Sequence, residues 1–159
     1  MQGRHKAITI AAWIGLVFCM LVLTRFILFK KSPHYYKHYF AHEYKRYTVK
    51  QGWKHANLTP FVTIRLFSSN RVSSEYSYKN IGGNIIGFIP LGVLLPVLFP
   101  FLRKCWRLTL IVFCLSLSFE TFQLLTGVGV FDVDDLILNT TGGLIGYVFY
   151  VIGTRLLQQ

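Results

Sequence analysis

Six acids occur among the 159 residues, and four of them, Glu120, Asp132, Asp134 and Asp135, fall within sixteen positions bordered by strongly apolar sequence. Read as one helix, residues 106–125 place Thr109, Ser116, Glu120 and Gln123 on a single stripe, at spacings of seven, four and three. A second helix beginning at Asp132 carries Asp132, Asp135, Asn139, Gly142 and Gly146 on another stripe, polar in its upper half and small in its lower half. Hydrocarbon penalises a charged side chain by roughly 2.5–3.5 kcal/mol on insertion scales, so such residues turn toward a bundle interior and find partners there. The two stripes are therefore expected to face each other. Asp134 sits off both stripes and is expected to matter little. The chemistry open to such a set is acid–base catalysis by Glu120 or Asp135, or reception of a polar ligand group.

A plainer reading makes Asp132, Asp134 and Asp135 caps of the second helix, where carboxylates favour the positive end of the dipole. It leaves Glu120, deep in a different helix, unexplained. Gly142, Gly143 and Gly146 read as close helix packing rather than chemistry.

The elements that position these residues follow from composition. The chain is 53% hydrophobic with a mean hydropathy of +0.45, too apolar for a soluble domain of this size. Four segments, residues 7–29, 81–99, 106–125 and 133–156, each reach about the ~20 residues that cross a bilayer. The expectation is an all-α integral membrane four-helix bundle, a single domain over residues 1–159, multi-pass in the cell membrane. The first segment follows basic residues as a signal peptide does, but its apolar run is long and no small-residue cleavage site precedes Lys30, so it is read as a mature helix. Cys19, Cys105 and Cys114 make no C-x-x-C spacing and read as small packing residues. The net charge of +11 suits topology and lipid contact in such a chain, not nucleic acid.

Between the first two segments lies a loop, residues 30–80, holding ten of the seventeen Lys and Arg and seven of the nine tyrosines. In HYYKHYFAHEYKRY, Tyr36, Phe40, Tyr44 and Tyr47 share a helical face, which suits an interfacial helix. His34, His38 and His42, spaced by four, could present imidazoles to a metal; interfacial His and Tyr account for them without one, and no cofactor is expected. NLTPF, residues 57–61, breaks any helix at Pro60 and opens a re-entrant or surface-lying turn. The second span opens at Asn80 and Asn84, contains Pro90, and ends at Pro96 and Pro100. Arg25 stands near the end of the first helix, where it either snorkels or pairs with an acid at the same depth.

Because the second span starts, the third ends and the fourth starts on one side of the membrane, their polar residues converge there with the end of the first. Arg25, Asn80, Asn84, Ser116, Glu120, Gln123, Asp132, Asp135 and Asn139 are the candidate site residues, since each residue advances only ~1.5 Å along a helix.

In order along the chain, NLTPF, then NIIGFIPLGVLLP (residues 84–96), S-x-x-x-E-x-x-Q (residues 116–123) and D-x-D-D-x-x-x-N-T-x-G-G-x-x-G (residues 132–146) resemble the VanZ-like family. The resemblance implies a small bacterial membrane protein whose namesake confers resistance to the lipoglycopeptide teicoplanin. It implies no catalytic residue. Three functions follow as alternatives. The first is a non-enzymatic envelope protein that binds or shields an amphiphile at the outer leaflet, the drug or a lipid-linked wall precursor, with membrane lipids as its other partners. The second is a membrane enzyme acting on a lipid phosphate, with Glu120 or Asp135 as acid/base and Arg25 or a loop lysine on the phosphate. The third is a small transporter, which lacks a second polar belt deeper in the helices.

The short connection FLRKCWR carries three bases and TGVGVFD carries none, so both termini are predicted to be cytoplasmic and the acidic turn outside. A single cysteine replacing Val130 in the base-free TGVGVFD turn of an otherwise cysteine-free chain is expected to react with an impermeant maleimide in intact cells; labelling only after lysis reverses the orientation.

Overall fold

The computed structural model describes residues 2–29, 36, 42–69 and 74–157. In chain order these form α1 (Gln2–Leu28), α2 (His42–Lys54), α3 (Val62–Ser68), α4 (Ser74–Leu98), a 3-10 turn (Pro100–Arg103), α5 (Cys105–Thr126) and α6 (Val133–Leu156). Among the described residues there is no named strand. Four stretches are long and apolar enough to cross a membrane, Lys6–Leu28, Asn80–Leu98, Cys105–Thr126 and Val133–Leu156. They match the four expected spans to within a residue at each end, because hydropathy over a bilayer's width needs no tertiary partner to be read.

The second span opens at Asn80 as expected, but its helix begins earlier, and the expected stop at Pro96 is corrected. Helix α4 starts at Ser74, ahead of Asn80, since nothing in SEYSYKN breaks a helix. It also runs through both Pro90 and Pro96. A proline removes one intrahelical bond and strains the preceding turn, which neighbouring helices in a bundle can compensate. The actual stop is Phe99, extended at φ −120° and ψ 97°, the conformation that a residue preceding Pro100 prefers.

Helices α4 and α6 run parallel, both starting at the same end, and α5 runs antiparallel between their ends. The closest approach is α4 on α6. A Cβ added at Gly142 would lie 2.1 Å from the Ile85 carbonyl oxygen, and one at Gly146 would lie 2.0 Å from that of Ile89. Gly92 returns the contact, its added Cβ lying 2.0 Å from the Gly143 carbonyl oxygen. Backbones so close gain dispersion and Cα–H···O contacts that side chains would prevent, which is how helices associate where water supplies no hydrophobic drive between them. Gly143 turns the other way, onto Val112 of α5.

The buried core joins Cys19, Leu23 and Ile27 of α1, Phe88, Leu91 and Leu95 of α4, Leu102, and Leu108 and Val112 of α5. Helix α1 is the peripheral member, packing mainly on α4 and leaving Ile14, Phe18, Leu21 and Phe26 exposed, a face suited to lipid. At the end opposite the acids, the Tyr147 hydroxyl donates to the Arg103 carbonyl at 2.6 Å and ties α6 to the 3-10 turn.

Gly146→Ala is expected to force α4 and α6 apart and lower stability by about 1–3 kcal/mol, the usual cost of overpacking. Gly153→Ala, with nothing within 4 Å of its added Cβ, is expected to be neutral. Thermal unfolding of both variants in the same detergent checks the difference.

Candidate functional site

The buried face of α5 carries Leu108, Val112, Ser116, Glu120 and Gln123, a stripe whose lower half is apolar and whose upper half is polar. Helix α6 answers with Asp134, Asp135 and Asn139, all buried. Glu120 is 1% exposed, and its Oε2 accepts the Asp132 backbone N–H at 3.0 Å. One turn along, Asp135 accepts from Asn84 Nδ2 of α4 at 2.5 Å. Deeper still, Asn139 Nδ2 donates to Ser116 Oγ at 2.8 Å. The polar residues thus form rungs between antiparallel α5 and α6, with α4 joining at the Asp135 level.

Asp132 is the N-cap of α6. Its Oδ1 accepts the Asp134 N–H at 2.9 Å and the Asn57 Nδ2 at 2.9 Å, while its Oδ2 accepts the Thr63 hydroxyl at 2.6 Å. The main chain of Asn57 pairs with the same turn: its N–H donates to the Phe131 carbonyl at 2.8 Å, and its carbonyl accepts from Val133 at 3.0 Å. Its side-chain Oδ1 closes a local turn by accepting the Thr59 N–H at 3.1 Å. Asn57 therefore locks NLTPF onto the start of α6 through main chain and side chain together.

Asp134 completes the clamp. Its Oδ1 accepts the Phe61 N–H at 2.5 Å, and its Oδ2 accepts the Thr63 and Ile64 N–H groups at 2.7 and 3.1 Å. These are the first amides of α3, whose own N-cap, Phe61, supplies no capping side chain. A carboxylate from another helix satisfies donors that helix geometry leaves open and opposes the positive end of the dipole. Asp134, expected to matter little to activity, thus has a structural part that the stripes did not indicate. It is fully buried, and it lies off the stripe because its partners come from a different direction, the chain 70 residues upstream.

Helix α2 closes over the same end. Gly127 is the left-handed C-cap of α5 at φ 72°, and a Cβ there would lie 2.6 Å from Val49 N of α2. The turn needs glycine twice, for its dihedral and for the passing backbone. Gln123 Nε2 donates to the Ile27 carbonyl at 2.8 Å, pinning the end of α1 to α5.

Other predicted residues are placed differently. The Arg25 guanidinium is exposed and donates to the Phe29 carbonyl just past the end of its own helix, a placement compatible with snorkelling. Thr109 stands at the far end of α5, bonded to Cys105. Asn80 Oδ1, Asn139 Oδ1 and Thr140 Oγ1 are buried acceptors with no hydrogen-bond partner among the described residues. Among those residues no group of three His, Cys, Asp or Glu is placed to hold a metal; His34, His38 and the side chain of His42 lie outside them. What sequence reasoning missed is the contribution of NLTPF and the start of α3, from Asn57, Phe61 and Thr63. Its signal was an Asx-type turn before a proline beside unattached polar groups, which says that partners are needed without saying where they are.

The profile of the family described as VanZ/LLP1 matches residues 12–154. Protein VanZ of Enterococcus faecium is 34% identical over 106 residues, which cover 65% of this chain and 56% of that protein. The aligned region thus spans little more than half of that relative. No solved structure matches the chain.

Asp134→Ala is expected to orphan three α3 amides, each worth about 1.5–3 kcal/mol when bonded to a charged acceptor. Hydrogen exchange at Phe61, Thr63 and Ile64 should accelerate sharply. Glu120→Gln keeps an acceptor for the Asp132 N–H and should leave those three amides protected. Unchanged protection in Asp134→Ala contradicts the clamp.

Proposed function

The chain belongs to the VanZ/LLP1 family, and from that premise we propose that it is a non-enzymatic protein of the bacterial envelope contributing to teicoplanin tolerance. It acts by binding or shielding an amphiphile, the lipoglycopeptide or a lipid-linked wall precursor, at the outer leaflet. One observation carries this reading: buried Asp134 and half-buried Asp132 hold the start of α3, in the basic connection, against the first turn of α6. That connection displays Tyr47, Lys50, Trp53, Lys54 and Arg65 as exposed side chains. Cations attract an anionic headgroup, and Tyr and Trp favour the membrane–water boundary.

The charge difference between the short turns supports an outward-facing platform, with both termini in the cytoplasm. An enzyme using Glu120 or Asp135 as base has less support. Both carboxylates are buried, and each already accepts a hydrogen bond within the bundle, from the Asp132 N–H and from Asn84.

Expression of the chain in a susceptible host is expected to raise the inhibitory concentration of teicoplanin several-fold. Vancomycin, which carries no acyl chain, serves as the comparison. Glu120→Gln, at matched membrane level, is expected to abolish the rise, because an amide keeps the acceptor for the Asp132 N–H but removes the buried charge. A wild-type chain that leaves the teicoplanin value unchanged removes the resistance reading. Full tolerance in Glu120→Gln returns Glu120 to a structural acceptor.

A further inference from the structure

Helix α3 is attached to the bundle in an unusual way. None of its residues is buried. What holds it is the set of hydrogen bonds to Asp132 and Asp134, together with its packing on α4 and α6; Ile64 and Phe67 are its half-buried apolar side chains. Exposed apolar side chains run from the segment before it into the helix: Leu58 is 73% exposed, Phe61 54%, Val62 50% and Leu66 45%, with Arg65 and Ser68 exposed beside them. Val62 and Leu66 lie one helical turn apart, so they share an edge that Phe61 and Leu58 extend.

Depth is set by the clamp. Asp134 is the second residue of the Val133–Leu156 span, and it takes the N–H groups of Phe61, Thr63 and Ile64 directly. The start of α3 therefore sits level with the first turn of a membrane-spanning helix, at the margin of the hydrocarbon. Phe61 is also the single non-glycine residue with positive φ among those described, at φ 67°. A bulky aromatic seldom adopts that backbone, and here the buried carboxylate on its N–H keeps it there with its ring outward. Charge agrees with the placement. Arg65 on α3 and Lys50 and Lys54 on α2 are exposed, suited to the phosphates of the adjoining leaflet.

We propose that the edge formed by Leu58, Phe61, Val62 and Leu66 is embedded in phospholipid. Helix α3 is a monotopic element lying in the headgroup–acyl boundary of the leaflet that meets the first turns of α4 and α6. Its occupant is the bilayer, not a protein partner, and this inference stands apart from the resistance reading.

The test uses the full chain in phosphatidylcholine–phosphatidylglycerol vesicles. Trp13, Trp53 and Trp106 are replaced by Phe, and Phe61→Trp or Leu66→Trp supplies one reporter. Lipids brominated near the top of the acyl chain, or near its end, act as quenchers, with iodide present on both faces in a separate arm. An apolar edge sunk roughly 5–10 Å into the boundary touches the upper bromines, so about a twofold loss of emission is expected there, with little from the deep bromines or iodide. Emission untouched by either lipid but quenched by iodide overturns the proposal in favour of a water-facing edge. Stronger quenching by deep bromines also overturns it, making the element re-entrant. If Phe61→Trp disturbs the left-handed turn, Leu66→Trp reads the same edge one turn further on.

Discussion

Main-chain amides at the margin of a membrane need acceptors, because an unsatisfied one costs several kcal/mol where water is scarce. In this chain carboxylates are those acceptors. Asp134 takes three amides of the segment that opens α3, Asp132 caps α6 and binds Asn57 and Thr63, and Glu120 takes the Asp132 N–H. Bonds of this charge-assisted kind contribute about 1.5–3 kcal/mol each, whereas exposed ion pairs contribute about 0–1 kcal/mol. The basic surface of the connection therefore does not decide where the connection lies. The clamp does.

The clamp in turn depends on how tightly the spans approach beneath it. Glycines at 142 and 146 let the α6 backbone touch the carbonyls of Ile85 and Ile89, and that contact fixes the rotation of α6 against α4. With this rotation, Asp135 meets Asn84 and Asn139 meets Ser116. Buried polar pairs with orphan acceptors, such as Asn139 Oδ1, add little net stability. They do penalise any other register of the helices, since a shift would leave still more polar groups unpaired in an apolar medium. Gln123 extends the same control to α1, whose contact with α4 is an apolar seam with small residues and a weak bond from the Cys19 thiol to the Gly87 carbonyl at 3.9 Å.

An arrangement of this kind separates two jobs along one axis. The glycine-packed half of α4 and α6 supplies rigidity, and the polar half supplies attachment for a surface element without a core of its own.

The four spans, the stripe on α5 and the glycine face of α6 were determined by the sequence alone. Hydropathy over a bilayer's width and a period of 3.6 residues are local properties, independent of what packs alongside. Tertiary structure alone decided the rest. Arg25 was open to snorkelling or to pairing with an acid, and in the fold its guanidinium donates to the Phe29 carbonyl, away from the acids. Helix α4 passes Pro96 because a packed bundle can compensate for a lost bond that would stop an isolated helix. Asp134 looked dispensable because it has no neighbour on its own helical face, yet its partners are amides of residues 61–64. Every residue but proline carries an amide, so nothing in the side-chain pattern marks which ones a distant carboxylate will bind.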